Sequence, residues 1–127
     1  MSRAQRKQFI GMPFTTDTQD LYHVRTSIQT ALTNVLPKLQ GTFLDVGCGI
    51  QPYRSLIMAP PSRVEHYVGM DFKVGDDAKY QAAKPDIFWD GVTIPLADAS
   101  VDCAMATEVL EHCPDPQAVL REIARVL

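Results

Sequence analysis

The chain has little of anything that would take it outside the ordinary globular class. Its 127 residues include three cysteines and one tryptophan. No apolar run approaches the ~20 residues of a bilayer-spanning helix. Cys48, Cys103 and Cys113 are an odd number without C-x-x-C spacing, which argues against a disulfide scaffold and for a reducing compartment, taken here as the cytoplasm. Positive charge is not in excess. Twelve Lys+Arg against fifteen Asp+Glu give a net charge of −3, so no basic field points to nucleic acid. Arg3, Arg6 and Lys7 open the chain with no apolar stretch behind them, so no secretory signal is read there, while an organelle presequence stays open. Repeats and low-complexity segments are missing as well.

What is present is a balance of 46% hydrophobic and 21% charged residues, which suits one soluble domain or part of one. Residues 1–17 read as a loose polar arm. Leu21, Val24, Ile28, Ala31, Leu32 and Val35 then recur at helical spacing, predicting a helix over 18–36 that Pro37 closes. Strand texture follows at 42–46, 66–70, 87–89 and 101–106. Helices are expected at 52–58, around 77–83 and from Pro116 onward, the last with Val119, Leu120, Ile123, Val126 and Leu127 on one face. Alternating strands and helices predict an open parallel sheet covered on both sides. The division expected is an arm and helix over 1–40 and an α/β domain over 41–127.

Leu44-Asp45-Val46-Gly47-Cys48-Gly49 is the most informative stretch. A strand turning straight into a helix exposes backbone N–H groups, and glycines let a ligand approach them. Asp71, 24 positions after Gly47, stands where a carboxylate would meet ribose hydroxyls. The dinucleotide fingerprint fails here, since its third glycine would fall at Pro52.

The order strand, D-x-G-x-G, strand, Asp resembles the class I S-adenosylmethionine methyltransferases of the type 11-like group. Downstream, Asp90-Gly91-Val92-Thr93-Ile94-Pro95-Leu96-Ala97-Asp98-Ala99-Ser100-Val101-Asp102 is similar to that family's D-x-x-x-L-P-F-x-D-x-S-F-D segment. Thr107-Glu108-Val109-Leu110-Glu111-His112 is similar to its E-V-L-E-H motif, and residues 120–127 to its L-x-E-x-x-R-V-L helix. The resemblance implies the N-terminal part, about four strands, of a seven-stranded Rossmann-like sheet, with S-adenosyl-L-methionine as cofactor. It implies Asp45, Gly47, Cys48 and Gly49 around the methionine part, the Cys48 thiol packing beneath the loop. Asp71 would take the ribose hydroxyls, with Met70 and Phe72 beside the adenine. Asp90 would accept from the adenine amino group, the Gly91 N–H would face a ring nitrogen, and the Thr107 carbonyl would lie near the methionine ammonium. Many relatives carry a glycine near position 51, so Gln51-Pro52 implies a differently shaped methionine end.

Glu108, Glu111 and His112 are the candidates for chemistry, spaced i, i+3, i+4 so as to share one side of a helical turn. Three readings stand in descending order: a histidine that caps or orients the turn, a base or acceptor contact, and a divalent-metal set. No metal is therefore expected. Cys113 beside His112 cannot assemble four zinc ligands locally. Tyr53-Arg54 could meet an acceptor carboxylate or phosphate. Phe88 and Trp89 read as core.

The function expected is methyl transfer to an acceptor that the sequence does not name, a small molecule before a macromolecule. The other class is a non-catalytic S-adenosylmethionine-binding or partner-activating module. The uncapped helix at Leu127 suggests an incomplete domain and an isolated chain of low activity. A homodimer or a partner chain is then expected to cover the edge of strand four.

Overall fold

The computed structural model describes residues 3–73 and 84–127. The helix expected around 77–83 lies outside the described residues. The elements run α1 (Arg3–Lys7), α2 (Gln19–Val35), β1 (Gln40–Val46), α3 (Arg54–Ile57), β2 (Arg63–Phe72), β3 (Ile87–Trp89), β4 (Cys103–Ala106) and α4 (Pro116–Val126), with 3₁₀ turns at Leu36–Lys38 and Leu110–His112. The strands form one parallel sheet in the order β3-β2-β1-β4. This is the open α/β sheet expected from the alternation of elements, and it covers part of a Rossmann-like fold.

Alternation along β1 builds the two layers. Leu44 and Val46 enter one core with Met70, Trp89, Ile94, Val119 and Val126, under α4. Phe43 enters the other with Leu32, Tyr53, Ile57 and Tyr67, under α2 and α3. Val119 and Val126 are 0% exposed, and burying each contributes roughly 1.5–3 kcal/mol. Leu120 and Leu127, expected on the same face, are both about half exposed instead. The N-terminus of α4 is capped by Asp115, whose side chain accepts from the Ala118 N–H at 3.0 Å, with Pro116 in the first turn.

Gly41 shows why β1 can begin where it does. Its φ is +66°, and a Cβ there would lie 2.2 Å from the Asp102 carboxylate. The same carboxylate accepts from the Thr42 N–H at 2.8 Å, tying β1 to the approach of β4.

Two expectations need correcting. Residues 3–17 of the expected arm are not loose: α1 precedes Phe9 and Ile10, which pack on the second core, and the Gly11 N–H donates to Gln29 on α2. The packed face of α2 is also shifted. Ile28 and Leu32 turn inward, whereas Leu21, Val24 and Val35 are 40–49% exposed. Arg25 continues the inward stripe one turn earlier, its guanidinium 4.4 Å from the centre of the Phe9 ring. An arginine that covers an aromatic ring is packing material, which an apolar-periodicity count does not register. Among the described residues no helix is long and apolar enough to cross a membrane.

Candidate functional site

The site forms at the carboxyl ends of the parallel strands, where an open α/β sheet leaves its crevice. After Val46 the chain turns through Gly47, Gly49 and Gln51, all with positive φ (75°, 51° and 55°). The Gly47 and Cys48 N–H groups both donate to the Met70 carbonyl, at 2.8 and 3.0 Å, binding the turn to β2. At Gly47 a Cβ would lie 2.4 Å from the Val109 side chain, whereas at Gly49 it would meet nothing within 4 Å. Gly47 is therefore required by packing, and Gly49 leaves open space for a ligand.

Above this turn lies a cavity of about 490 Å³, within the usual size range of small-molecule sites. It brings together eight of the residues expected from sequence: Asp45, Gly47, Cys48, Gly49, Thr107, Glu108, Glu111 and His112. Asp45 is 2% exposed and receives the Tyr67 hydroxyl proton as a hydrogen bond. Burial raises its pKa to about 7, the Tyr67 bond working against this and the Asp71 charge adding to it. Cys48 is buried beneath the loop, and burial pushes its thiol pKa upward, with Asp45 and Asp71 adding to the effect. The thiol is thus unreactive packing.

None of the nucleoside candidates Met70, Asp71, Phe72, Asp90 and Gly91 lines this cavity. Asp71 is 5% exposed, and its two oxygens accept from the Gly49 N–H at 2.9 Å and the Phe72 N–H at 2.8 Å. Met70, expected beside the adenine, is 0% exposed within the core, and its carbonyl accepts the two N–H groups of the turn. Phe72 stacks on Trp89 at 5.5 Å between ring centres, and a Cβ at Gly91 would lie 2.6 Å from that Phe72 ring. The Asp90 Oδ1 accepts from the Val92 and Thr93 N–H groups at 2.8 Å, which lowers its pKa. Asp90 borders a second, shallower cleft of about 440 Å³ with Lys73, Phe88, Trp89, Thr93 and Pro95. Phe88, expected in the core, is 40% exposed on the wall of this cleft.

The Glu108-Glu111-His112 group is built differently from the helical turn expected. Glu108 has φ +53°, and only Leu110–His112 is helical, as a 3₁₀ turn. All three still line the first cavity, but the i, i+3, i+4 geometry is not what brings them there. Glu108 is ion-paired with Arg25 of α2. Among the described residues no group of three His, Cys, Asp or Glu side chains is placed to hold a metal ion.

Sequence reading missed Gln8, Phe9 and Arg25 on the cavity wall, whereas Tyr53, read from sequence as a candidate acceptor contact, does line it. Tyr53 is 2% exposed, and its hydroxyl and the Arg25 Nε are buried without a hydrogen-bond partner. The apolar Phe9-Ile10 pair within a polar arm was the available signal.

Comparison with known proteins gives the family and the fold. A family model described as a methyltransferase domain matches residues 44–127. The chain is 32% identical over 116 residues to a 27-O-demethylrifamycin SV methyltransferase of Amycolatopsis mediterranei, covering 84% of this chain and 42% of that protein. Among solved structures, a Haloferax volcanii methyltransferase in complex with the Trm112 methyltransferase activator aligns with TM-score 0.62 at 24% identity, over 98% of this chain and 52% of that one. A Methanococcus maripaludis chain described as an S-adenosyl-L-methionine-dependent methyltransferase aligns with TM-score 0.62 at 20% identity, over 87% and 55%. The chain thus spans about half the length of these relatives, and through its glycine turn, its strand order and the run from Leu44 to Leu127 it belongs to the class I methyltransferase domain family.

Proposed function

We propose that residues 41–127 hold the cofactor site of an S-adenosyl-L-methionine-dependent methyltransferase acting on a small-molecule acceptor, with residues 1–40 supplying the helix that walls it. The observation that carries this reading is the single cavity joining the glycine turn to Thr107, Glu108 and His112. The residues present fit the cofactor that the family implies. The open space at Gly49 admits a ligand against the backbone, and the buried Asp45 is a carboxylate short of cationic partners. When bound, S-adenosyl-L-methionine supplies a methyl group already activated on a sulfonium.

Asp45 and the Thr107 carbonyl hold the amino-acid ammonium in this reading, and Asp71 takes the ribose hydroxyls. Asp90 and the Gly91 N–H meet the base; Phe72 packs behind Gly91, and Met70 serves only through its carbonyl. His112, on the cavity wall, removes the acceptor proton where one must leave, with Glu108 and Glu111 orienting the acceptor. Catalysis would then rest mainly on alignment, worth up to roughly 7–11 kcal/mol in favourable cases. The small-molecule acceptor is supported by the rifamycin relative. Free thiols at all three cysteines suit a reducing cytoplasm. The outer edge of β4 offers a pairing surface to a second copy or a partner chain.

Calorimetric titration tests this directly. S-adenosylhomocysteine is expected to bind the folded chain, and NAD to bind more weakly or not at all. Tighter binding of NAD would overturn the assignment.

A further inference from the structure

Gln51 adopts φ +55°, a left-handed conformation that favours glycine, in a turn where its two neighbouring left-handed positions are glycines. A residue is kept in such a conformation when its side chain has work that glycine cannot do. Gln51 is 6% exposed, and both ends of its amide are engaged. Its Nε2 donates to the Lys84 carbonyl at 2.7 Å, and its Oε1 accepts from Arg54 Nη1 at 2.9 Å. Its backbone N–H closes the glycine turn on the Cys48 carbonyl at 2.8 Å. Beneath it, Gly69 provides the room, since a Cβ there would lie 3.0 Å from the Gln51 Nε2.

Lys84 lies at the entry to β3, a strand of only three residues. The entry is tied to β2 at Gly69: Asp86 N–H donates to the Gly69 carbonyl at 2.8 Å, and the Asp86 carboxylate accepts from the Gly69 N–H at 2.8 Å. The Gln51 amide adds a second anchor, from the glycine turn. The far end of the same short strand delivers Trp89, Asp90 and Gly91. We infer that Gln51 is a positioning residue for the nucleoside half of the site, fixing the entry of β3, and through it Asp90 and Gly91, against the glycine turn. The inference rests on the cofactor reading above, and it differs from the sequence expectation that Gln51 reshapes the methionine end.

The two alternatives separate by ligand. S-adenosylhomocysteine carries both halves, whereas 5′-methylthioadenosine carries the nucleoside without the amino acid. Gln51→Glu keeps an acceptor for Arg54 but cannot donate to Lys84, and Gln51→Met keeps the buried volume without either bond. Loss of one hydrogen bond's net worth corresponds to about a fivefold weakening. Both variants are expected to bind both ligands more weakly, by up to about fivefold, with Tm lowered by roughly a few degrees and faster amide exchange at Asp86. Wild-type affinity for both ligands, or a loss confined to S-adenosylhomocysteine, would overturn the role. If the wild-type chain bound neither ligand, the cofactor reading itself would fall and this role with it.

Discussion

Two charged clusters in this domain are built in opposite ways. At the glycine turn, Asp45 and Asp71 are 2% and 5% exposed, and the bond Asp45 receives comes from a neutral tyrosine. On the α4 side, Arg125 forms a closed clasp: it donates to Glu122, Asp98 and the carbonyls of Ile94 and Leu96, while Glu122 also accepts from the Ile94 N–H. Burial raises Asp45 to about 7, whereas the Arg125 and Ile94 bonds lower Glu122 to about 2. A polar group whose bonds are all made within the chain holds the chain together. Asp45, a buried carboxylate on a cavity wall whose bond comes from a neutral hydroxyl, is arranged for something that arrives. Both clusters lie in segments that resemble family motifs, so a motif match alone does not separate scaffold from site.

The largest way to break this contrast is at Gly47. Its positive φ and the 2.4 Å approach of Val109, a side chain buried in the first core, leave no room for a methyl group. Gly47→Ala is expected to abolish measurable S-adenosylhomocysteine binding and to lower Tm strongly. Gly49→Ala, strained by its φ of +51° but with open space around the new methyl group, should lower Tm by less than Gly47→Ala and weaken the ligand as well. If both variants behaved alike in both measurements, the division between packing and ligand space would be wrong.

Next in size is the comparison of Asp71→Ala with Asp98→Ala. A charge-assisted bond to ribose is worth about 1.5–3 kcal/mol, so the first should weaken S-adenosylhomocysteine by roughly tenfold or more. Asp98 is 79% exposed and paired with Arg125, so its removal should leave affinity unchanged. Equal losses in two folded variants would take Asp71 out of the ribose site.

Much of the contrast was legible in the chain itself, and the parts that were not have physical reasons. The ends of α2, β1, β3 and α4 fell close to their expected places because capping, glycine and proline signals act locally. Asp102 and Arg125 could be matched to motifs, yet their purpose could not be read, because it lies in contacts with Thr42 and Ile94 far along the chain. Glu108 defeated the helical spacing because its φ of +53° is set by the turn out of β4, with Arg25 of α2 paired against its carboxylate. Gln51 looked like a missing glycine, whereas the left-handed backbone is kept and the side chain is put to use.

A smaller effect separates the clusters by pH. If Asp45 meets the cofactor ammonium, binding favours its carboxylate form and expels a proton wherever the free chain holds one. Affinity for S-adenosylhomocysteine should then rise with pH by at most about tenfold per unit, and level off near the Asp45 value of about 7. Asp45→Asn should bind more weakly, with a flat profile across the same range. A wild-type profile already flat from pH 5 to 7 would detach Asp45 from the ammonium.

The smallest expected effect is the sharpest discriminator, because it concerns stability and not binding. Asp45 has a folded pKa above its ordinary value of 3.8, so its contribution is fully present below about pH 4 and is lost as pH rises through about 7. Glu122 has the opposite sign: its folded pKa lies below the ordinary 4.5, so its contribution is present above that value and is lost as pH falls toward about 2. The Glu122 side chain is partly open to water, so screening keeps this contribution modest. Glu122→Gln should therefore lower Tm slightly at pH 6, and the difference from wild type should close as pH falls below 3. Asp45→Asn should do the reverse, gaining relative to wild type as pH rises from 4 to 8, because the amide carries no charge to bury. S-adenosylhomocysteine affinity measured at pH 7.5 should be unchanged by Glu122→Gln. A clear loss of affinity there would mean that the clasp reaches the cofactor through the Ile94 segment, and that the two clusters are one system.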